Sequence, residues 1–594
     1  MPLVNPLSRT RILIILAGLL VVVITTALMG YASVDGSASN TGLNMNDSSS
    51  LSTLPINSSV LPPPQPQGVV NVGVTPNQLA AGGPLPGNHS LALEEAECVA
   101  KQNNPPWYHT LQAAELRDSN RTKLYACAQF PGSFTGPNQV YAYASPTQYY
   151  TPNLMATRGV NDLYVLGGGW GSAVPKPSGQ YVAKINPGDL TQLWRTELTN
   201  LNATTSSTGV WNYIGGINVL ADGNLAVVAN SNLFKLNGTT GAVEGAIALP
   251  TGKSLPENTN YNGLAAWPDG TLVMKSLNRA PGCSLDGGLP FSIPCPGQSN
   301  SPNSVMVAVD PKTWKVLDWI ELEQNAASRP VAENYNGKNY AYFSGTSILY
   351  RYLWDGKNIT LDNTWGPVQL SGPNQTGISA PVIGGNWVFA MTNNVPADVP
   401  MSLVAVSQSN SSEVSRINPI PLQPGEKSFI PSNAPIDPEN HMVYAMDAGA
   451  GKLAGIKYDP KNGNMSLVWT ANQSTLSWWS VIGPVDKRVT LASNMYPNTT
   501  MAQMSNNPPP SYTEQIQWRD AATGKLLAAS DFFQAMSLGA QPIPGYGGIV
   551  YDMIYDGHIM ALQVLPQANN TTSTAAATTS PSPNSTSTTS GADG

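Results

Sequence analysis

From about Tyr149 to Leu565 short apolar runs recur in a fixed order: an apolar strand, an Asp-Gly or Asn-Gly turn, a second apolar strand, a polar loop, then an Asp-x-x-Thr-Gly type of turn into a further strand. One pass reads IGGINVLADGNLAVVANSNLFKLNGTTGAVEGAIAL (Ile214 to Leu249), and the shape returns in VMVAVDPKTWKVLDWIEL (Val305 to Leu322), AGIKYDPKNGNMSLVW (Ala454 to Trp469) and IQWRDAATGKLLAAS (Ile516 to Ser530). About four short strands in each roughly 40 to 60 residues predict an all-β β-propeller. Eight units follow, 149–198, 208–249, 259–322, 328–370, 377–420, 430–472, 477–530 and 538–566, with six or seven blades as alternatives. The last unit is short, while NQVYAYAS (Asn138 to Ser145) is a strand without a blade. Pairing the two would remove an exposed sheet edge, so Gln139 to Ala144 is expected to complete the final blade.

The pattern divides the rest of the chain. Residues 1–30 form a short cytoplasmic stub and an apolar anchor, 31–95 a disordered stalk rich in Ser, Thr, Pro and Asn, 96–148 an N-terminal segment carrying the closing strand, 149–566 the propeller and 567–594 a disordered tail. Arg9 and Arg11 precede the uncharged run Ile12 to Met29, and no Lys or Arg follows until Lys101. That bias places the amino terminus inside and the propeller outside the cytoplasm, as a single-pass cell-membrane protein anchored through residues 12–29. A cleaved signal peptide is the alternative, since Gly30-Tyr31-Ala32 offers a cleavage site.

Composition agrees with an exported chain. Charged residues are 11% of the total and the net charge is -7, so there is no basic footprint for nucleic acid. Asn-x-Ser/Thr sequons recur from Asn46 to Asn584, as in a glycoprotein. The four cysteines form two local pairs, Cys98 with Cys127 and Cys283 with Cys295, at spacings that suit disulfides in an oxidising compartment and not a metal.

The pieces VAVDPKTWKVLDW and WRDAATGKLLAAS resemble the repeat of pyrroloquinoline-quinone-type propellers. The resemblance implies the fold, commonly eight-bladed, and not the cofactor. Quinoprotein dehydrogenases typically hold a vicinal Cys-Cys pair over the quinone, and this chain has no adjacent cysteines. YNGLAAWPDGTLVMKS (Tyr261 to Ser276) is similar to a motif of gluconolactonase-type propellers, which implies calcium at Asn262. The loops that would complete that site carry Arg329, Ser379, Asn433 and Trp479 in place of carboxylates, a poor set for a hard cation, so no metal and no cofactor are expected.

Blade geometry sends the loops before each innermost strand and after each second strand to one face. Asn262, Lys275, Arg279, Arg329, Asp447, Trp478 and Asn494 are the ligand-binding candidates there, with Trp211, Asn212 and Trp479 beside them. Lys275, Arg279 and Arg329 give that funnel positive potential, with Asp447 as the expected acidic neighbour. The implied partner is an anionic small molecule, a glycan or a protein. The four histidines, His89, His109, His441 and His558, have no Gly-x-Ser-x-Gly elbow to serve. The expected function is therefore a surface binding or interaction module; the alternative is an extracytoplasmic enzyme, a lactonase-like hydrolase or a quinone-dependent oxidoreductase.

Overall fold

The computed structural model describes residues 71–73, 88–102, 106–149, 152–168, 179–199, 213–280, 301–326, 328–496, 513–535, 541–554 and 556–565. The expected span 12–29, most of the stalk, the tail, Trp211, Asn212, Cys283 and Cys295 lie outside them. No helix of the described residues is long and apolar enough to cross a membrane.

Eight antiparallel sheets follow one another along the chain as blades. Blade 1 runs from Pro152–Thr157 to Gln192–Glu197, blade 2 from Gly216–Val219 to Val243–Ala248, blade 3 from Thr259–Ala266 to Lys315–Glu321 and blade 4 from Val331–Tyr335 to Val368–Gln369. Blade 5 spans Val382–Gly384 to Val414–Ile417, blade 6 Ile436–Asp437 to Met465–Asn472, and blade 7 Ser480–Ile482 to Phe533–Gln534. Blade 8 starts at Ile543–Pro544 and Ile549–Met553. Its Ile559–Val564 strand then pairs antiparallel with Val140–Ala144, from the other end of the propeller. The expected closure is thus present, and it leaves no bare edge where the ring meets itself.

Burial explains why the middle strands read as unbroken apolar runs. Leu225–Ala229 and Leu403–Ser407 are buried at every position, because neighbouring blades cover both faces of each sheet. The outermost strands alternate: Lys315–Glu321 and Val414–Ile417 switch between exposed and half-buried positions. The Asn-Gly turn at Asn336-Gly337 has φ of 52° and 79°, the two positive values a two-residue hairpin needs to match strand twist.

The Asp-x-x-Thr-Gly turns lock one blade to the next. Asp520 Oδ1 accepts from the backbone N–H groups of Ala522 and Thr523 at 2.8 and 3.1 Å. Trp469, on the outer strand of blade 6, donates its indole N–H to Ala521 O at 3.0 Å, and its ring lies over Gly524. Trp194 repeats the arrangement over Gly241, donating to Thr239 O at 2.9 Å.

The tract read as a stalk over 31–95 carries structure at two places. Asn71–Gly73 pairs in parallel with Val140–Ala142, widening blade 8. A helix, His89–Lys101, begins at Asn88, whose side chain accepts from Leu91 N at 3.1 Å. Its buried stripe Ala92, Glu95 and Val99 packs on blade 8, where Glu95 accepts from Gly547 N at 2.6 Å and from Gln129 N at 2.9 Å. The polar composition of the tract hid this short stripe. Cys98 and Cys127 form the expected disulfide, with Cα atoms 5.6 Å apart.

Candidate functional site

Between those two cysteines the chain does something its periodicity does not announce. Residues 110–125 circle the inside of the ring and hydrogen-bond to the innermost part of every blade in turn. Thr110 meets Tyr546 of blade 8 at 2.8 Å, and Gln112 O accepts from Thr157 N of blade 1 at 2.9 Å. Ala113 O accepts from Val219 N of blade 2 at 2.6 Å, and Ser119 Oγ accepts from Ala266 N of blade 3 at 3.0 Å. Ser119 O, Asn120 O and Thr122 O then accept from Ala332 N, Ile383 N and Ile436 N of blades 4, 5 and 6 at 2.9, 3.2 and 3.0 Å. Leu124–Tyr125 finishes the circuit as a parallel strand on Val481–Ile482 of blade 7. Innermost strands carry backbone donors that no further strand can reach, and this belt satisfies them. So tight a path has a conformational cost: Leu116, Arg117, Arg121 and Lys123 all have positive φ, between 55° and 83°.

The belt brings charge to the axis. Glu115, Arg121 and Lys123 are 2, 0 and 0% exposed. Glu115 accepts from Arg121 Nη1 at 3.3 Å through one carboxylate oxygen and from Arg329 Nε through the other. Arg121 Nε donates to Pro330 O at 2.7 Å, and Lys123 Nζ donates to Ser432 Oγ and Asn433 O at 2.9 and 2.7 Å. Lys275 Nζ reaches Ala326 O at 2.5 Å and Ser276 O at 3.3 Å. The Arg329 guanidinium lies 4.4 Å from the ring centre of Trp478.

Four basic side chains, Glu115 and the nearby Asp118 perturb one another. Burial pushes the Lys275 ammonium well below its ordinary range, and the guanidinium groups of Arg329 and Arg121 push it further while Glu115 opposes them. Lys123 is driven down the same way, by burial first and then by Arg121 and Arg329. Arg121 is lowered to about 10 by burial, with Glu115 holding it up.

The sequence-predicted residues divide accordingly. Lys275, Arg329 and Trp478 converge with the belt, and Asn262, buried at 1% exposure, stands opposite Lys275 in the blade 3 register. Arg279 sits apart, donating to Asn258 Oδ1 at 2.8 Å on the approach to blade 3. Asp447 accepts from Ser428 Oγ, Phe429 N and Ala450 N at 2.6, 3.0 and 3.1 Å, and Asn494 accepts from Ser474 N at 3.0 Å. Both fasten the connection that leads into their own blade, as Asn393 does for Thr376 N in blade 5. The carboxylate that meets Arg329 is Glu115 and not Asp447. Trp479 packs edge-on against Tyr444, with centroids 5.9 Å apart, in the core between blades 6 and 7. Glu115, Arg121 and Lys123 escaped the sequence reading, although five of the nine residues 115–123 are charged in a chain that is 11% charged overall.

Comparison with known proteins finds distant structural likeness alone. No protein-family model matches the chain, and no curated protein matches it. Among solved structures it is similar to the quinohemoprotein alcohol dehydrogenase of Comamonas testosteroni, at 10% identity and TM-score 0.49 over 80% of this chain and 84% of that one. It is also similar to BamB of Moraxella catarrhalis, at 10% identity and TM-score 0.40 over 70% and 99% of the two chains. The periplasmic gluconolactonase of Pseudomonas aeruginosa matches at 12% identity and TM-score 0.36, over 55% and 85%. The eight blades expected from the repeat are present.

Neither family's bound group fits the described residues. A planar quinone stacked on Trp478 would have to displace Arg329, because the indole is only 5% exposed and packs in the apolar cluster with Tyr261 and Leu264. Calcium at Asn262 would face Lys275 on the neighbouring strand, beside the positive charge of Arg329 and Arg121. Among the described residues no three His, Cys, Asp or Glu side chains gather as a metal site.

Proposed function

We propose that this propeller is a binding or interaction module, held outside the cytoplasm by a membrane anchor through residues 12–29. The observation that carries the reading is the belt. Residues 110–125 occupy the inner wall on which a ligand at the axis of the ring would rest, so recognition falls to the outer faces of the propeller. The partner we propose is acidic: an anionic small molecule, a glycan or a protein. The buried guanidinium groups of Arg121 and Arg329, with Lys123 and Lys275 beside them, support this, since charge in a low-dielectric interior projects a field to the surface above it. A test uses the full chain purified in detergent and offered sulfated or carboxylated glycans beside neutral ones. Saturable retention of the acidic set that weakens with salt is the expected result. Dye-linked turnover after loading with pyrroloquinoline quinone and calcium, without glycan retention, would overturn the reading in favour of the enzyme.

A further inference from the structure

Half of the Asn-x-Ser/Thr sequons that fall on described residues sit in one kind of turn. They are Asn237-Gly238-Thr239, Asn358-Ile359-Thr360, Asn410-Ser411-Ser412 and Asn464-Met465-Ser466. Their asparagines lie between the third and the next strand of blades 2, 4, 5 and 6: after Asn232–Leu236, Ile348–Trp354, Leu403–Ser407 and Lys452–Tyr458. Antiparallel strand order puts these four turns on one face of the ring, opposite the connections between blades. The other four are scattered: Asn88 caps the helix, Asn120 belongs to the belt, Asn374 precedes blade 5 and Asn472 ends the outer strand of blade 6.

Turn chemistry alone does not ask for asparagine there. In blades 4 and 6 an aspartate already holds the turn: Asp355 Oδ1 accepts from Lys357 N and Asn358 N at 2.8 and 2.6 Å, and Asp459 Oδ1 from Lys461 N at 2.8 Å. Asn358 and Asn464 follow those aspartates, and Asn358 Nδ2 reaches Asp355 Oδ2 only at 3.4 Å. Asn237 and Asn410 do hold their turns, but through oxygen: Asn237 Oδ1 accepts from Thr239 N and Thr240 N at 2.9 and 3.0 Å, and Asn410 Oδ1 from Ser412 N at 3.2 Å. Their nitrogens donate to the exposed Glu244 and Glu413, bonds that water can replace. Asn358, Asn410 and Asn464 are exposed, as are the four hydroxyl residues Thr239, Thr360, Ser412 and Ser466. Three of the turns also open an outermost strand with exposed apolar residues, Val243, Val414, Leu467 and Val468. A bulky polar chain at the start of such an edge would keep other copies from pairing with it.

We propose that Asn237, Asn358, Asn410 and Asn464 carry N-linked oligosaccharides, which make a sugar rim on the turn face of the propeller. The donor is a polyprenyl-diphosphate-linked oligosaccharide. In each transfer Nδ2 of the asparagine bonds to the anomeric carbon of the sugar, the bond from that carbon to a diphosphate oxygen breaks, the diphosphate leaves with the electron pair, and one Nδ2 proton passes to solvent. Such transfer happens on the side of the membrane to which a chain is exported, so the inference rests on the location proposed above.

The test reads modification and location separately. The full chain is purified from its own cells and each sequon peptide is read by glycopeptide mass spectrometry. In parallel, intact cells are treated with a membrane-impermeant amine reagent, read at Lys253 and Lys427, whose side chains are 76 and 53% exposed. The expected results are sugar-bearing peptides at all four turns and labelling of both lysines. A variant with Thr239→Ala, Thr360→Ala, Ser412→Ala and Ser466→Ala keeps every asparagine and should lose all four modifications, running smaller on a denaturing gel. Should that variant fail to fold, the wild-type peptides still decide. Bare peptides at the four turns overturn the proposal. If the lysines are labelled nonetheless, the location stands and only the glycans fall; if they are protected, the location falls with them.

Discussion

Gly524 has to be glycine for two reasons that coincide. Its φ is 73°, and a Cβ there would lie 2.7 Å from the ring of Trp469. Gly337 shares the first constraint, at φ 79°, but a Cβ there meets nothing within 4 Å. Gly337→Ala should therefore cost about 1–2 kcal/mol, the penalty of a left-handed backbone alone. Gly524→Ala should cost roughly 2 kcal/mol more, because Trp469 must also move and its bond to Ala521 O weakens. Paired denaturation curves check this, and equal losses at the two sites would contradict the interlocking turn. Glu333 supplies a pH test. Burial lifts its carboxyl from the ordinary 4.5 to about 7, Asp118 adding to the rise and the Gln408 amide opposing it. The folded state thus holds a proton that the unfolded state releases, a stabilisation fully present below pH 4.5 and lost as pH rises through about 7. Stability should fall between pH 5 and 8, by roughly 3 kcal/mol for this group. Glu333→Gln should flatten that part of the profile, and an unchanged slope would assign the effect elsewhere. At this scale the turn glycines were legible, because Asp-Gly and Thr-Gly pairs announce their own backbone. The role of Asp447 was not: its position after a second strand is the one predicted, but the partner of its carboxylate is a connection whose path no local pattern specifies.

The blades were legible as elements because each repeats the same alternation of strand and turn, and the closing strand because it had no blade of its own. The belt left no such trace. It has neither period 2 nor period 3.6, and four positive φ values among residues that normally avoid them make it invisible to propensity. What marked it was charge density between two cysteines. The Cys98–Cys127 bridge brackets the belt, so its loss should release the belt before it unzips any blade. Cys98→Ser should lower stability by about 3–4 kcal/mol in the chain-entropy account of a loop of this length. Limited proteolysis of that variant should cut first within 99–126. First cuts between blades would show that the bridge serves the ring instead.

For the molecule as a whole, architecture came from the repeat and chemistry did not, since nearly identical blades support unrelated functions. The residues that most constrain function, Glu115, Arg121 and Lys123, come from outside the repeat and meet Arg329 only after the ring has closed. The chain fills its own axis with residues 110–125. Hydrogen exchange of the full chain, read over peptides within 107–125, tests that most directly. Protection comparable to the innermost strands of blades 2 and 7, lost only when those strands open, is the expected result. Exchange of 107–125 at the rate of a free tail, with the strands still protected, would contradict it.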